Sequence, residues 1–412
     1  MASPQIETLP NGLTLAVEEQ GWNPGVALQL LVPMGATTDP DGLEGATSVL
    51  EGWLWKGAGN RDARAFAEAL DDLGVRHGSG SGLEYTTFAA QFLADKLDAV
   101  LELYSDLLLR PQLPDEGLEP VRQVALQELS SIEDQPSKKM FTRLRRGVFL
   151  SNHGRSPAGT REGLEAITPE RLRQDFSERF GAKGAILALV GGVSFQSVRE
   201  AVLNALGGWR SGTLSQPEVR LSQPHSVRLE DDTAQTQIGL IYPDISFGHP
   251  EFYSARLAAQ VLSGGMGSRL FTEVREKRGL VYSVYASPNG VKGYSYLSAY
   301  AGTMPSRADE TLRVLQGEIE RLAEGVSEEE LERAKIGLRT SLVMGEESAR
   351  SRVGSITRDL YLIGRVRTLD EIEAEIAAVD TSRINRYLAE SPYRNPWIGT
   401  LGPKALAMSD ER

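Results

Sequence analysis

The segment GATSVLEGWLWKGAG, residues 45–59, predicts a short helix on which metal ligation can be tested by residue type and spacing. Its apolar helical stretch carries a single carboxylate, Glu51, between Ser48 and Gly52, which are four residues apart. Side chains at this spacing share one helical face, so two imidazoles there would hold a cation. Serine is a poor zinc ligand and glycine has no donor atom, so the segment predicts no metal on this chain.

The other residues that could supply such chemistry do not form a replacement site. The chain has four histidines, none of them four residues from another: His77, His153, His225 and His249. His77 is predicted to lie on a strand, either as a surface imidazole or as a substitute zinc ligand. A catalytic zinc needs three protein ligands, so His77 alone would not form such a site. The absence of Cys excludes thiolate sites and cysteine nucleophiles. Ser48 lies outside any G-x-S-x-G elbow, which argues against a serine hydrolase.

A second pair of interest lies in VREKRGLVY, where Arg275 and Tyr282 are seven residues apart. A tyrosine hydroxyl can donate a hydrogen bond to an oxyanion while an arginine holds a carbonyl, so both would stabilise transition-state charge. The alternative is an ion pair between Arg275 and Glu273 or Glu276, with Tyr282 as a packed strand residue. The spacing alone does not separate the two interpretations.

The composition is that of a soluble globular protein, with 41% hydrophobic and 24% charged residues. A length of 412 residues suggests two or three domains. The net charge of −12 argues against nucleic acid or an anionic membrane as the main partner. No apolar run reaches the ~18 residues of a membrane span. The start lacks a signal-peptide pattern, so we expect a cytoplasmic protein, or a periplasmic one if a leader was removed.

The elements that must position these residues occur in the same order twice. The first half has strands GLTLAVEEQ and GVALQLLVPMGA, a helix at 62–74 with Asp62 as N-cap, and the buried strand AILALVGGV. The second half has strands TQIGLIYPDI and GYSYLSAYAG, a helix predicted for RLFTEVREKRG, and a long helix opened by the Ser-x-x-Glu box of SEEELERAKIGLRTSLVMG.

Residues 206–225 are rich in Gly, Ser and Pro, which predicts a linker. The duplicated order predicts an α+β chain of two homologous domains, 1–205 and 226–412. Each is expected to be a mostly antiparallel sheet with helices packed on one face.

The sequence resembles the pitrilysin/insulinase family of zinc metallopeptidases, which includes the mitochondrial processing peptidase. GGMGSRLFTEVREKRGLVYSVYAS, residues 264–287, is similar to the second-half signature of the family, and the resemblance covers nearly the whole chain. It implies a metallopeptidase half-chamber. Active members carry H-x-x-E-H, whose histidine positions fall on Ser48 and Gly52 and whose general base falls on Glu51. Their third zinc ligand falls on Glu128, so this chain keeps both carboxylates and lacks both imidazoles.

The surviving carboxylates also have a structural interpretation, because Glu51 and Glu128 can be helix residues hydrogen-bonded to neighbours. Gly52 in mid-helix costs about 1 kcal/mol relative to Ala, so helix propensity does not explain it. We expect it to make room for a neighbouring element, with Trp53 or Trp55 repacked over the vacant site.

In active family members the second half supplies an Arg and a Tyr to the zinc site, and the matching positions here are Arg275 and Tyr282. The resemblance therefore implies the zinc-free subunit of a heterodimer, inactive alone, whose H-x-x-E-H partner holds the zinc and cleaves unfolded peptides. The family also binds substrate as an added strand beside the zinc helix. Here that edge reads HGSGSG, residues 77–82, which offers no side chains for pockets and makes strand addition doubtful.

Two alternatives come from other functional classes. One is a structural subunit like the core proteins of respiratory complexes, with no part in proteolysis. The other is a homodimeric peptide-binding chamber without catalysis. The identity of the stable partner separates these possibilities: a zinc-bearing chain, a membrane complex, or a second copy.

Overall fold

The structure is a computed structural model that describes residues 3–346, 348–390 and 393–406. The strands, in chain order, are β1 (Gln5–Thr8), β2 (Thr14–Glu19), β3 (Gly25–Val32), β4 (Gly57–Ala58), β5 (Arg61–Asp62), β6 (Arg76–Ser81), β7 (Thr86–Leu93), β8 (Ile186–Gly191), β9 (Ser226–Glu230), β10 (Thr236–Asp244), β11 (Val281–Val291), β12 (Tyr294–Thr303) and β13 (Trp397–Gly402). The α-helices are α1 (Ala46–Leu54), α2 (Ala63–Asp72), α3 (Leu97–Leu109), α4 (Asp115–Glu133), α5 (Pro136–Val148), α6 (Arg161–Glu165), α7 (Pro169–Arg179), α8 (Phe195–Leu206), α9 (Phe252–Ser263), α10 (Ala308–Glu320), α11 (Glu328–Glu346), α12 (Ala349–Ile363), α13 (Leu369–Ala377) and α14 (Thr381–Ala389). Among the helices within the described residues, none combines the length and apolar character needed to span a bilayer.

The chain forms two compact units. The first comprises residues 1–131, 155–218 and 345–367 and contains a six-stranded sheet in the order β1-β2-β8-β3-β7-β6. All neighbouring pairs are antiparallel except β2 and β8. Its main core lies between one sheet face and helices α1, α3 and α8. Alternation along β3 directs Leu28 into this core and Ala27 to the opposite face, against α12.

The second unit comprises residues 132–154, 219–344 and 368–412 and contains a five-stranded sheet in the order β11-β12-β10-β13-β9. Only β13 and β9 pair in parallel. One face packs against helices α9, α10, α13 and α14 in a large apolar core. On the other face Ile241 packs with Met140 and Leu144 of α5.

The predicted α+β architecture of two sheet-plus-helix domains is confirmed. Each sheet also has one helix on its second face, supplied by the other half of the sequence: α12 in the first unit and α5 in the second. Helix α4 directly precedes α5, and α11 directly precedes α12. Both α4 and α11 have 19 residues, as a duplicated plan requires. The division at 1–205 and 226–412 stays a prediction, because homologous domains are defined by descent and not by contacts. Residues 207–225 form neither helix nor strand.

Local sequence signals explain where several helices begin. Asp62 caps α2 by accepting a hydrogen bond from the Ala65 N–H at 2.8 Å, as the sequence predicts. The predicted capping box of α11 is also confirmed, because Ser327 and Glu330 bond reciprocally to each other's N–H groups. The helix predicted for residues 269–279 differs, since it contains a π-helical turn at Phe271–Glu276.

Candidate functional site

Helix α1, which carries Ser48, Glu51 and Gly52, is held at its start by a buried carboxylate. Asp39 accepts hydrogen bonds from the N–H groups of Gly45 (2.8 Å) and Thr47 (2.9 Å) and from the Thr47 hydroxyl (2.6 Å). Burial raises the pKa of the Asp39 carboxyl, and these donors oppose the rise. Gly45 has a φ of +104°, a left-handed conformation that suits glycine. The direction of α1 is therefore fixed independently of any metal.

The space at the second missing histidine position belongs to α4. A Cβ atom placed on Gly52 would lie 2.8 Å from Cγ1 of Val121, which is too close for van der Waals contact. Val121 is itself almost fully buried. The expectation that Gly52 makes room for a neighbouring element is confirmed, and that element is α4. Trp53 does not cover the position, because it lies in the core and its indole N–H donates to the Pro114 carbonyl at 2.8 Å. Glycine at 52 allows the two helices to approach closely.

Glu51 belongs to a hydrogen-bonded group with Ser79 and Trp55. The Ser79 hydroxyl on β6 donates to the Glu51 carboxylate, and the Trp55 indole N–H donates to Ser79 Oγ at 2.8 Å. Burial raises the pKa of the Glu51 carboxyl, and the negative charge of Glu128 adds to the rise. The structure thus brings both surviving carboxylates into one neighbourhood on the first unit. Ser79 is a partner that sequence reasoning missed, because its contact depends on the register of β6.

His77 lies beside this group and stacks on Trp55, with ring centroids 4.8 Å apart and planes inclined at 25°. Strand β6 pairs only with β7 among the described strands, so its outer edge is unpaired. No cluster of three or more His, Asp or Glu side chains suited to a metal ion occurs in the described residues. With serine and glycine at the histidine positions and Val121 against Gly52, the residues present do not fit a catalytic zinc.

Arg275 lies in the π-helical turn of the second unit, where the Lys277 N–H bonds to the Thr272 carbonyl at 2.9 Å, five residues back. Its guanidinium carbon lies 4.9 Å from the ring centroid of Phe271 and 5.4 Å from that of Tyr282. Both distances are in the cation–π range. Phe271 is a second residue that sequence reasoning missed, and its position four residues before Arg275 was the available signal.

The alternative ion pair, between Arg275 and Glu273 or Glu276, does not form within the described residues. Glu273 accepts hydrogen bonds from Lys277 (2.6 Å) and Arg278 (2.8 Å), and these cations lower the pKa of its carboxyl. Neither Glu273 nor Glu276 pairs with Arg275. The exposed guanidinium of Arg275 therefore lies within cation–π distance of two rings and has no carboxylate partner among the described residues.

Tyr282 is directed to solvent by a β-bulge. In the ladder with β12, Val281 pairs with Thr303 and Ser283 pairs with Gly302, which leaves Tyr282 as the extra residue. Val281 and Val284 both pack in the large apolar core on the sheet face that α9 and α10 cover. Tyr282 and Ser283 therefore share the opposite face of the sheet. The Tyr282 side chain is 81% exposed. Tyr282 is therefore an exposed residue and not a packed strand residue.

Comparison with known proteins gives matches along the whole chain. A profile described as insulinase (peptidase family M16) matches residues 14–160, and one described as peptidase M16 inactive domain matches residues 166–338. An uncharacterized zinc protease of Streptomyces coelicolor is 27% identical over 409 residues, covering 96% of this chain and 89% of its own. An uncharacterized zinc protease of Bacillus subtilis is 26% identical over 387 residues, covering 92% and 93%.

Solved structures show the same fold. The crystal structure of a peptidase M16 inactive domain from Pseudomonas fluorescens has a TM-score of 0.89 at 20% identity, and each chain is covered completely. The crystal structure of a protease from Helicobacter pylori has a TM-score of 0.89 at 19% identity, covering 98% of this chain and 100% of its own.

Proposed function

The chain belongs to the insulinase (M16) family of peptidases, and we propose that it is the zinc-free subunit of a two-chain metallopeptidase acting on unfolded peptides. The single observation that supports this most is the Arg275–Tyr282 pair. Both side chains are exposed, they stack on each other, and Arg275 has no carboxylate partner among the described residues.

The proposed chemistry is electrostatic. Tyr282 donates its hydroxyl proton in a hydrogen bond to the oxyanion that forms when a peptide carbonyl is attacked. Arg275 binds a neighbouring carbonyl and fixes the peptide. Both act on charge that develops in the transition state, in a site where the partner supplies the attacking water and the zinc. This chain would then be inactive alone, because its own residues hold no zinc.

The first experiment is an affinity capture of the full chain from its native lysate, with identification of any stoichiometric partner. Recovery of a similar-sized H-x-x-E-H chain is the expected result. Recovery of membrane-complex subunits favours the structural alternative, and recovery of a second copy alone favours the homodimeric binding chamber. Either of those results overturns the proposal.

The reconstituted complex then tests the two residues. Arg275→Ala and Tyr282→Phe should each lower kcat by about 10²–10³, the usual loss for one oxyanion-stabilising donor. Folding and assembly should be unchanged, because both side chains are exposed. Arg313→Ala, which removes an exposed arginine of α10, is the matched control. Wild-type turnover from a complex carrying both substitutions would exclude the transition-state role.

A further inference from the structure

Helix α5 presents a basic face in an acidic protein. Its segment PSKKMFTRLRRGV contains five Lys and Arg and no Asp or Glu, while the whole chain has a net charge of −12. The remainder therefore carries −17 (−12 minus +5). Met140, Leu144 and Val148 recur at helical spacing and are buried against the sheet. The basic residues occupy the rest of the helix circumference.

Three of these five cations lack an ion-pair partner within the described part of the chain. Lys139 pairs with Glu133 (3.1 Å) and Asp231 (2.8 Å). Arg145 contributes a hydrogen bond to Tyr296.

The remaining Lys138, Arg143 and Arg146 are exposed, and none is paired with a described carboxylate. The helix dipole favours Arg146, which lies in the last turn. It does not favour Lys138 in the first turn, and Arg143 and Arg146, three residues apart, repel each other.

An aromatic row connects this helix to the face that bears Tyr282. Tyr285, on the same strand β11, lies 5.1 Å from Tyr300 between ring centroids, and Tyr300 lies 6.3 Å from Phe141 of α5. Tyr285 is 41% exposed, so part of its ring is accessible to another molecule. The row, α5 and Tyr282 all belong to the second unit.

We propose that Tyr285 and the outward face of α5, through Lys138, Arg143 and Arg146, bind acidic segments of the peptide that contacts Arg275 and Tyr282. The inference rests on the proposed peptidase function and names its substrate class, namely peptides with acidic and aromatic residues. Tyr285 supplies a ring for stacking and α5 supplies cations for carboxylates. A peptide fits better than a nucleic acid, because the aromatic row continues from α5 to the face that bears Tyr282, where the proposed function places a peptide.

The test measures binding to the full chain directly, so it does not depend on turnover. The probes are fluorescein-labelled peptides of alternating Glu and Tyr, Gln and Tyr, or Lys and Tyr, followed by fluorescence anisotropy. The Glu peptide should bind best, and its affinity should fall as salt is raised. A variant with Lys138→Glu, Arg143→Glu and Arg146→Glu should weaken the Glu peptide by at least about tenfold and leave the Gln peptide unchanged.

The matched control makes the same change in net charge elsewhere, with Arg171→Glu, Arg313→Glu and Lys404→Glu, all exposed positions outside α5. Equal weakening by both triple variants would reduce the effect to net charge and overturn the inference. Tighter binding of single-stranded oligothymidine than of the Glu peptide would also overturn it, in favour of a nucleic-acid surface.

Failure of the inference is distinguishable from failure of the proposed function. If Arg275→Ala and Tyr282→Phe lower turnover of the complex but the α5 variant binds the Glu peptide normally, only the substrate class is wrong. If the α5 variant loses the Glu peptide while those two substitutions leave turnover unchanged, the surface stands and the catalytic role fails. A Tyr285→Ala variant should weaken the Glu peptide and the Gln peptide alike, because stacking does not depend on charge.

Discussion

Gly52→Ala tests whether α1 and α4 are packed so closely that the old metal position is closed. Helix propensity alone favours alanine by about 1 kcal/mol. Against this, the new methyl would lie 2.8 Å from Val121 Cγ1. Val121 is β-branched, stiff at χ1 and nearly buried, so it does not swing aside easily. Overpacking of this kind costs about 1–3 kcal/mol, so we expect a net destabilisation of about 1 kcal/mol.

A double-mutant cycle isolates the contact. In a Val121→Ala background the obstructing methyl groups are gone, so Gly52→Ala should stabilise by the helix-propensity gain of about 1 kcal/mol. The effect of one substitution thus changes sign with its neighbour. Scanning calorimetry measures this, because 1 kcal/mol shifts Tm by about 2–4 °C in domains of 150–250 residues. Stabilisation by Gly52→Ala in the native background would refute the packing argument.

The same contact governs attempts to restore the metal site. Ser48→His with Gly52→His supplies two imidazoles beside Glu51 and Glu128, but the Cβ of residue 52 still meets Val121. We expect this double variant to bind zinc more weakly than the triple variant with Val121→Ala, by about the 1–3 kcal/mol that overpacking costs, as measured by competition with a chelator of known affinity. Equal zinc affinity of the two variants would show that α4 moves aside at little cost.

Two further predictions concern buried charges in the first unit. Burial raises the pKa of Glu51 above its usual 4.5, so its carboxylate destabilises the fold as pH rises through the shifted value. Glu51→Gln should therefore raise Tm at pH 8 and have little effect at pH 4, and equal shifts at both would contradict this. Glu18 and Arg352 form a buried ion pair at 2.7 Å, with side chains 1% and 4% exposed. Arg352→Met should cost about 3–5 kcal/mol in urea unfolding, and adding Glu18→Leu should recover most of it.

Much of the fold could be predicted from the sequence because it depends on local patterns. The cap at Asp62 and the box at Ser327 act within one helical turn, so the printed residues specify them. The placement of α5 could not be predicted in this way. Its buried Met140, Leu144 and Val148 indicate an apolar face, but not that this face covers the sheet of the second unit. Partner choice between elements distant in sequence depends on shape and register, which periodicity does not encode.

The candidate site, like the fold, could be predicted from the sequence only where it depends on local patterns. Glycine in the middle of a helix was a usable sign that something approaches Gly52, but the sequence did not identify Val121, 69 positions later (121 − 52). The spacing of Arg275 and Tyr282 was visible. Their exposure was not, because the π-helical turn that contains Arg275 and the β-bulge that places Tyr282 both depend on backbone hydrogen bonds to other residues.

The candidate site residues of the two units differ in their surroundings, and this difference bears on function. In the first unit, Val121 packs against Gly52, and Trp55, Ser79 and His77 form a bonded and stacked group around Glu51. That arrangement contributes to stability without any partner.

In the second unit, by contrast, Arg275 in the π-helical turn and Tyr282 at the bulge are both exposed, and their stacking is worth about 0.5–1 kcal/mol at such a site. Turns and bulges of these two kinds are frequent at functional sites. Their presence is accounted for if Arg275 and Tyr282 act on a molecule outside this chain, which is the role that the proposed peptidase partnership gives them.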